Sequence, residues 1–208
     1  MLFRSVAVSD GAAATAVPRA RGAAVAVLAA CGVLVVGIDL LTKQLALTNL
    51  SDGTVVRLLG GLVYLDLTRN RGAAFSIGEG FTWLFPLVAI VVTVAIGWLA
   101  RQLRSLPWAV AMGLVLGGAL GNLIDRLFRA PGPLVGHVVD FISLLAPAGQ
   151  RFAIFNAADS ALFCGVVLAI FLEITGRRRD GTRVRGNAGP IGPAGNRAGV
   201  PDSTRDEA

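Results

Sequence analysis

Two aspartates stand 159 − 140 = 19 positions apart, in Val138-Val139-Asp140-Phe141 and Phe155-Asn156-Ala157-Ala158-Asp159. The second opens a long apolar run that ends near Ile174. A carboxylate deep in a membrane costs on the order of 3 kcal/mol, so such a group is usually there for a function. Two close carboxylates cannot easily both ionise, and one keeps a proton. The ionised member can take a proton from water, and that water can attack an amide carbonyl. The protonated member hydrogen-bonds the carbonyl, and the roles then exchange to protonate the leaving amine. The chemistry this pair could do is hydrolysis of a peptide bond at a membrane surface.

Other chemistries have less to draw on. The chain has one histidine, His137, which could in principle serve Ser143 or Ser160. Zinc takes three or four His, Cys or carboxylate ligands, and no HExxH motif is present. Asp140, Asp159 and Asp125 together could hold a hard cation. Each polar residue also has an ordinary structural explanation. Asn156 before an apolar run is a natural helix cap. Asp39 and Lys43 are spaced i, i+4, as in a helical ion pair.

The elements that must position these residues are membrane spans. Apolar residues make up 54 % of the 208-residue chain and charged residues 15 %. The mean hydropathy is +0.69. Soluble domains hold about a quarter charged residues. The apolar runs predict spans over about 22–41, 81–99, 108–124 and 156–174. The first is long enough to cross a bilayer core of roughly 30 Å. The third is rich in small residues, Gly113, Gly117, Gly118, Ala119 and Gly121, which let helix backbones approach closely. Between the first two spans, Val55–Leu59 and Leu62–Leu67 flank Gly60-Gly61 and predict a β-hairpin. Residues 127–153 are expected to be a connection that carries Asp140. Residues 1–21 are expected to form a floppy extension, and 176–208 a disordered basic tail. The predicted architecture is an all-α membrane protein with four transmembrane helices and a small outward-facing β hairpin or sheet.

Basic residues orient the spans. Arg4, Arg19 and Arg21, then Arg101 and Arg104, then Arg177 to Arg179 must share one side of a four-span protein. That side is assigned to the cytoplasm with both termini. Asp39, Asn70, Asn122, Asp125, Arg126, Asp140, Asn156 and Asp159 then all fall at the opposite, outer face. Such convergence predicts one polar site there. An ion or solute pathway would need polar groups along the depth of the bundle instead.

The formal net charge of +6 does not point to nucleic acid, because the basic tail holds no aromatic residue. It suits a cytoplasmic anchor. Cys31 and Cys164 lie in apolar runs with no metal or disulfide spacing. Leu28-Ala29-Ala30-Cys31 resembles a lipobox, the cleavage signal of lipoprotein precursors. The apolar run continues ten residues beyond Cys31 and further spans follow, which argues against cleavage there.

Five motifs in order resemble the lipoprotein signal peptidases (signal peptidase II), bacterial membrane aspartyl proteases. They are Asp39-Leu40-Leu41-Thr42-Lys43, Asn70-Arg71-Gly72-Ala73-Ala74-Phe75, Gly121-Asn122-Leu123-Ile124-Asp125-Arg126, Val138-Val139-Asp140-Phe141 and Phe155-Asn156-Ala157-Ala158-Asp159. The resemblance covers roughly residues 22–175. It implies cleavage of prolipoprotein signal peptides on the amino side of a diacylglyceryl-cysteine within a lipobox. It implies Asp140 and Asp159 as the catalytic pair, in a multi-pass protein of the bacterial plasma (inner) membrane, among membrane lipids. Asp39, Lys43, Asn70, Gly72, Asn122, Arg126, Asn156 and Ala158 match positions that line or support the site. Asp125 is expected to hold the local network rather than pair with Asp159. No metal or cofactor is implied. The Arg126–Asp140 connection, with Pro131-Gly132-Pro133, is longer than the family pattern, and both terminal extensions are additional.

Overall fold

The computed structural model describes residues 13–72 and 82–183, with side chains from residue 20 onward. Four helices carry the fold: α1 (Ala13–Asn49), α2 (Leu84–Leu99), α3 (Leu106–Phe128) and α4 (Ala157–Ile174). All four are long and apolar enough to cross a membrane. Three strands, β1 (Val56–Leu58), β2 (Val63–Asn70) and β3 (Val138–Leu144), form an antiparallel sheet in the order β1-β2-β3.

The glycines explain the packing. A Cβ on Gly117 of α3 would lie 2.6 Å from Val35 Cβ and 2.8 Å from the Gly32 carbonyl on α1. On the other side of α3, a Cβ on Gly118 would collide with the Ala158 carbonyl of α4. Gly165 of α4 has no room against the Ala111 carbonyl, 2.8 Å from its Cβ position. The small residues of α3 therefore face both neighbours, and α3 becomes the buried centre of the bundle. At the other extreme, α2 presents Leu87, Val88, Val91, Val94 and Trp98 outward, as a lipid-facing helix does.

The first span is longer than expected at both ends. Helix α1 begins at Ala13, inside the stretch expected to be a floppy extension, and residues 1–12 lie outside the described residues. It also runs on to Asn49 instead of ending near Leu41. Asp39 and Lys43 do not break it, because they pair across one turn at 2.7 Å with both side chains buried. Thr48 and Asn49 then return their polar groups to the carbonyls four residues back.

The hairpin is present, with Gly60 and Gly61 at φ 68° and 102°. Only glycine adopts such φ values without strain. The connection between the third and fourth spans is more ordered than expected. It contributes strand β3, which pairs with β2 from Val63↔Leu144 to Asn70↔Val138. The tail also departs from expectation over its first residues. Arg177 bridges to Arg183, the Arg179 carbonyl accepts from the backbone N–H groups of Arg104 and Ser105, and Trp108 Nε1 donates to the Arg177 carbonyl. Residues 184–208, and the motif segment Ala73-Ala74-Phe75, lie outside the described residues.

Candidate active site

Asn156 caps α4. Its side chain accepts from the Asp159 N–H at 2.9 Å, and Asp159 Oδ2 accepts from the Asn156 N–H at 3.2 Å, a reciprocal capping box. The sequence therefore places Asp159 locally, in the first turn of a helix. Asp140 is placed by pairing. It sits in β3 opposite Thr68 of β2. The Phe155 carbonyl accepts from the Phe141 and Ile142 N–H groups, which ties the approach to α4 onto β3 beside it.

Side-chain amides join the two carboxylates. Asn156 Nδ2 donates to Asp140 Oδ1 at 2.6 Å and to Asn122 Oδ1 at 3.0 Å. Asn122 Nδ2 donates to Asp159 Oδ1 at 2.7 Å. Asn70 Nδ2 donates to Asp140 Oδ2 at 2.9 Å, while its Oδ1 accepts from the Gly72 N–H. Each amide oxygen is occupied elsewhere, so each NH₂ is turned towards a carboxylate.

A second cluster lies behind this one. Lys43 Nζ is 2.7 Å from Asp39 Oδ2 and 2.9 Å from Asp125 Oδ2, and it donates to Asn122 Oδ1 at 3.0 Å. Asp125 also pairs with Arg129 and accepts from the Val139 N–H at 3.1 Å. Asp39 Oδ1 accepts from the Ala158 N–H at 2.9 Å. Arg126 donates to the backbone carbonyls of Arg71, Gly72 and Gly136, and its guanidinium lies 5.2 Å from the Phe85 ring centroid.

Asp140 and Asp159 both line a cavity of about 370 Å³. Asn70, Asn122 and Arg126 share its polar end, and Phe85, Ala89, Leu123 and Phe155 line its apolar part. A smaller cavity of about 190 Å³ reaches Asp140 from the Thr68 and Gly149 side. Burial, and then the charge of Asp159, push the Asp140 carboxyl up to about 7, against the opposing hydrogen bonds from Asn70 and Asn156. An acid near neutrality beside a second carboxylate suits proton exchange with water.

The expected site residues thus divide into three groups. Asn70, Asn122, Arg126, Asp140 and Asp159 line the cavity, and the fully buried Asn156 bonds Asp140 and Asn122 from behind its wall. Asp39, Lys43 and Asp125 form the supporting cluster, and Asp125 does not line the cavity. Gly72 and Ala158 contribute backbone groups. Asp125 is held by Lys43, Arg129 and the Val139 N–H, so the three carboxylates considered for a hard cation do not converge on one point. Ser143 and Ser160 donate to the backbone carbonyls of Ala146 and Asn156, not to His137. His137 lies in a different cavity. Two features were missed in the sequence. Arg129, spaced i, i+4 from Asp125, was legible as an ion pair. The wall formed by Phe85 and residues 152–155 carries no spacing signal, because it is assembled from separate elements.

Residues 31–175 match the model of the family described as signal peptidase (SPase) II. The chain is 51 % identical to a lipoprotein signal peptidase of Rhodococcus jostii (strain RHA1) over 150 residues, covering 72 % of this chain and 73 % of that one. It is 48 % identical to a lipoprotein signal peptidase of Streptomyces coelicolor over 158 residues, 76 % and 75 % of the two chains. A solved bacterial membrane enzyme superposes with a TM-score of 0.61 at 32 % identity, over 74 % of this chain and 88 % of that chain. With the matched region spanning all five polar motifs, the chain belongs to the signal peptidase II family and is a membrane peptidase that removes the signal peptides of prolipoproteins.

Proposed function

We propose that Asp140 and Asp159 are the catalytic pair of this peptidase. The observation that carries the assignment is their shared position on the 370 Å³ cavity, with only amide and backbone partners. One carboxylate takes a proton from a water molecule as the water oxygen bonds to the scissile carbonyl carbon. The other gives its proton to the carbonyl oxygen, forming a gem-diol. The gem-diol then collapses: its C–N bond breaks, and the amine leaves with a proton returned through the pair. Asn70, Asn122 and Asn156 keep the carboxylates oriented through the cycle.

The substrate is a prolipoprotein whose lipobox cysteine carries a diacylglyceryl group, and the cut falls on the amino side of that cysteine. The apolar part of the cavity suits the signal-peptide side of such a substrate, and membrane lipids surround the bundle. The site faces the outer side of the bacterial plasma membrane, and both termini are cytoplasmic. In support, the C-terminal ends of α1 and α3, the start of α4 and the β2–β3 pair packed beside them carry the site residues. The opposite end carries Arg101, Arg104 and Arg177 to Arg179. Residues 22–175 form the peptidase domain, and the segments before and after it are accessory.

The test is incubation of the purified protein with a synthetic diacylated prolipoprotein peptide, read by mass spectrometry. Wild type releases the signal peptide at the lipid-modified cysteine, whereas Asp140→Asn and Asp159→Asn release none. Full activity in Asp140→Asn would overturn the pair.

A further inference from the structure

The face of the β2–β3 pair opposite Asp140 bounds a separate cavity of about 290 Å³. Alternation along β3 puts Val139 on this cavity while Asp140 opens into the active site. Arg69, Arg129 and His137 line it, beside Leu47, Phe128 and Val139, and no acidic residue does. Arg69 has no ion pair among the described residues. Arg129 gives its Nε to Asp125, and among the described residues its two terminal nitrogens have no hydrogen-bond partner. The cavity lies at the last turns of α1 and α3, where Phe128 is 80 % exposed and Leu45 53 % exposed. Cations lie beside apolar side chains at the end of two membrane-spanning helices, so the site suits an amphiphile with an anionic head.

We propose that this cavity binds the phosphate headgroup of an anionic phospholipid in the leaflet that meets the active-site end of the bundle. Arg69 and Arg129 neutralise the phosphate, His137 donates to it, and Phe128 and Leu47 flank the glycerol and acyl chains. The occupant is not the substrate's own lipid, because a diacylglyceryl group carries no phosphate. The proposal rests on the membrane placement of this end and is independent of which aspartates are catalytic.

His137 supplies a direct readout, because it is the chain's one histidine. Burial, and then the positive charges of Arg71, Arg126 and Arg69, hold its titration below the usual imidazole range. A bound phosphodiester offsets those charges and moves the titration up. The experiment compares the full chain in nanodiscs of phosphatidylcholine alone with nanodiscs that also contain phosphatidylglycerol. The His137 imidazole is followed by NMR, and retained lipid is counted by native mass spectrometry.

The expected result is an upward shift of His137 only with phosphatidylglycerol, and one retained phosphatidylglycerol. Arg69→Gln weakens retention about fivefold, the effect of one basic side chain near an anionic surface, and Arg69→Glu abolishes the shift. Both variants keep the wild-type unfolding temperature in phosphatidylcholine, which shows that they are folded. An unmoved His137, or equal retention by Arg69→Glu, overturns the proposal. So does an equal shift produced by inorganic phosphate in phosphatidylcholine nanodiscs, because the site would then bind a free anion.

Discussion

Asp39, Asp125, Asp140 and Asp159, at one end of the bundle, belong to two regions that differ in what holds them. Asp39 and Asp125 lie against cations: Lys43 touches both, and Arg129 touches Asp125. Among the described residues Asp140 and Asp159 touch no cation and are held by Asn70, Asn122, Asn156 and the Asn156 backbone N–H. An ion pair compensates a buried negative charge and makes it a fixed part of the framework. An amide orients a carboxylate without supplying that compensating charge. On the proposed catalytic assignment, one fold uses the same residue type for support and for acid–base chemistry. Of the two pairs, only Asp140 and Asp159 line the larger cavity.

The sharpest way to break this comparison is to neutralise one aspartate in each region. Asp140→Asn or Asp159→Asn should lower kcat at least about 10²–10⁴-fold, the usual worth of general acid–base catalysis, with little loss of thermal stability. Asp125→Asn should leave measurable cleavage and instead lower the unfolding temperature in detergent. If Asp125→Asn abolishes cleavage with stability intact, the two regions have been assigned the wrong way round.

Removing the shared cation comes next. Lys43→Met leaves Asp39 buried without its partner and takes one of two cations from Asp125, which should cost about 3–5 kcal/mol. It also removes one of the two donors, with Asn156, that turn the Asn122 amide towards Asp159, so kcat should fall as well. A variant as stable as wild type would show that the cluster is not structural.

The pH dependence sharpens the comparison from the catalytic side. Asp140 carries its proton below about 7 and loses it above. The pair then lacks its acid, and kcat/KM should fall about tenfold per pH unit above neutrality. Because the carboxyl rises from its ordinary 3.8 to about 7 on folding, the folded state binds the extra proton. This group's contribution to stability therefore falls as the pH rises between those two values and levels off above them. A rate that is flat well above neutrality would place the acid elsewhere.

The smallest effect tests the seam between the regions. A Cβ on Gly121 would lie 2.7 Å from Asp39 Oδ2 and 3.0 Å from Ala158 Cβ. Gly121→Ala should therefore cost about 1–3 kcal/mol through overpacking. The loss should be read as a lower unfolding temperature, with kcat falling less than in the Asp140 and Asp159 variants.

Much of the fold could be read from the chain because its signals are local. Long apolar runs identify four membrane helices, and Gly60-Gly61 marks the hairpin. The limits of α1 could not be read the same way. Asp39 and Lys43 look like a helix end until α3 and α4 supply Asp125 and the Ala158 N–H to bury them. Strand β3 was hidden for a related reason. Val138–Leu144 sits between Pro131-Gly132-Pro133 and Pro147, and its backbone partners come from β2 and Phe155. The docked start of the tail depends in the same way on Trp108 and on the Arg104 and Ser105 N–H groups, far away in sequence.

The amino-acid sequence by itself determined which residues could do chemistry and that they share one end of the bundle. Apolar runs of bilayer length put their flanking polar residues at the two surfaces, and Asn156 with Asp159 is a local cap. The tertiary structure alone decided which carboxylates stand free of cations. Lys43 reaches Asp125 across 125 − 43 = 82 positions. Asn70 reaches Asp140 across 70 positions. A choice made by hydrogen bonds a few ångströms long, between residues so distant in the chain, exists only once the helices have packed.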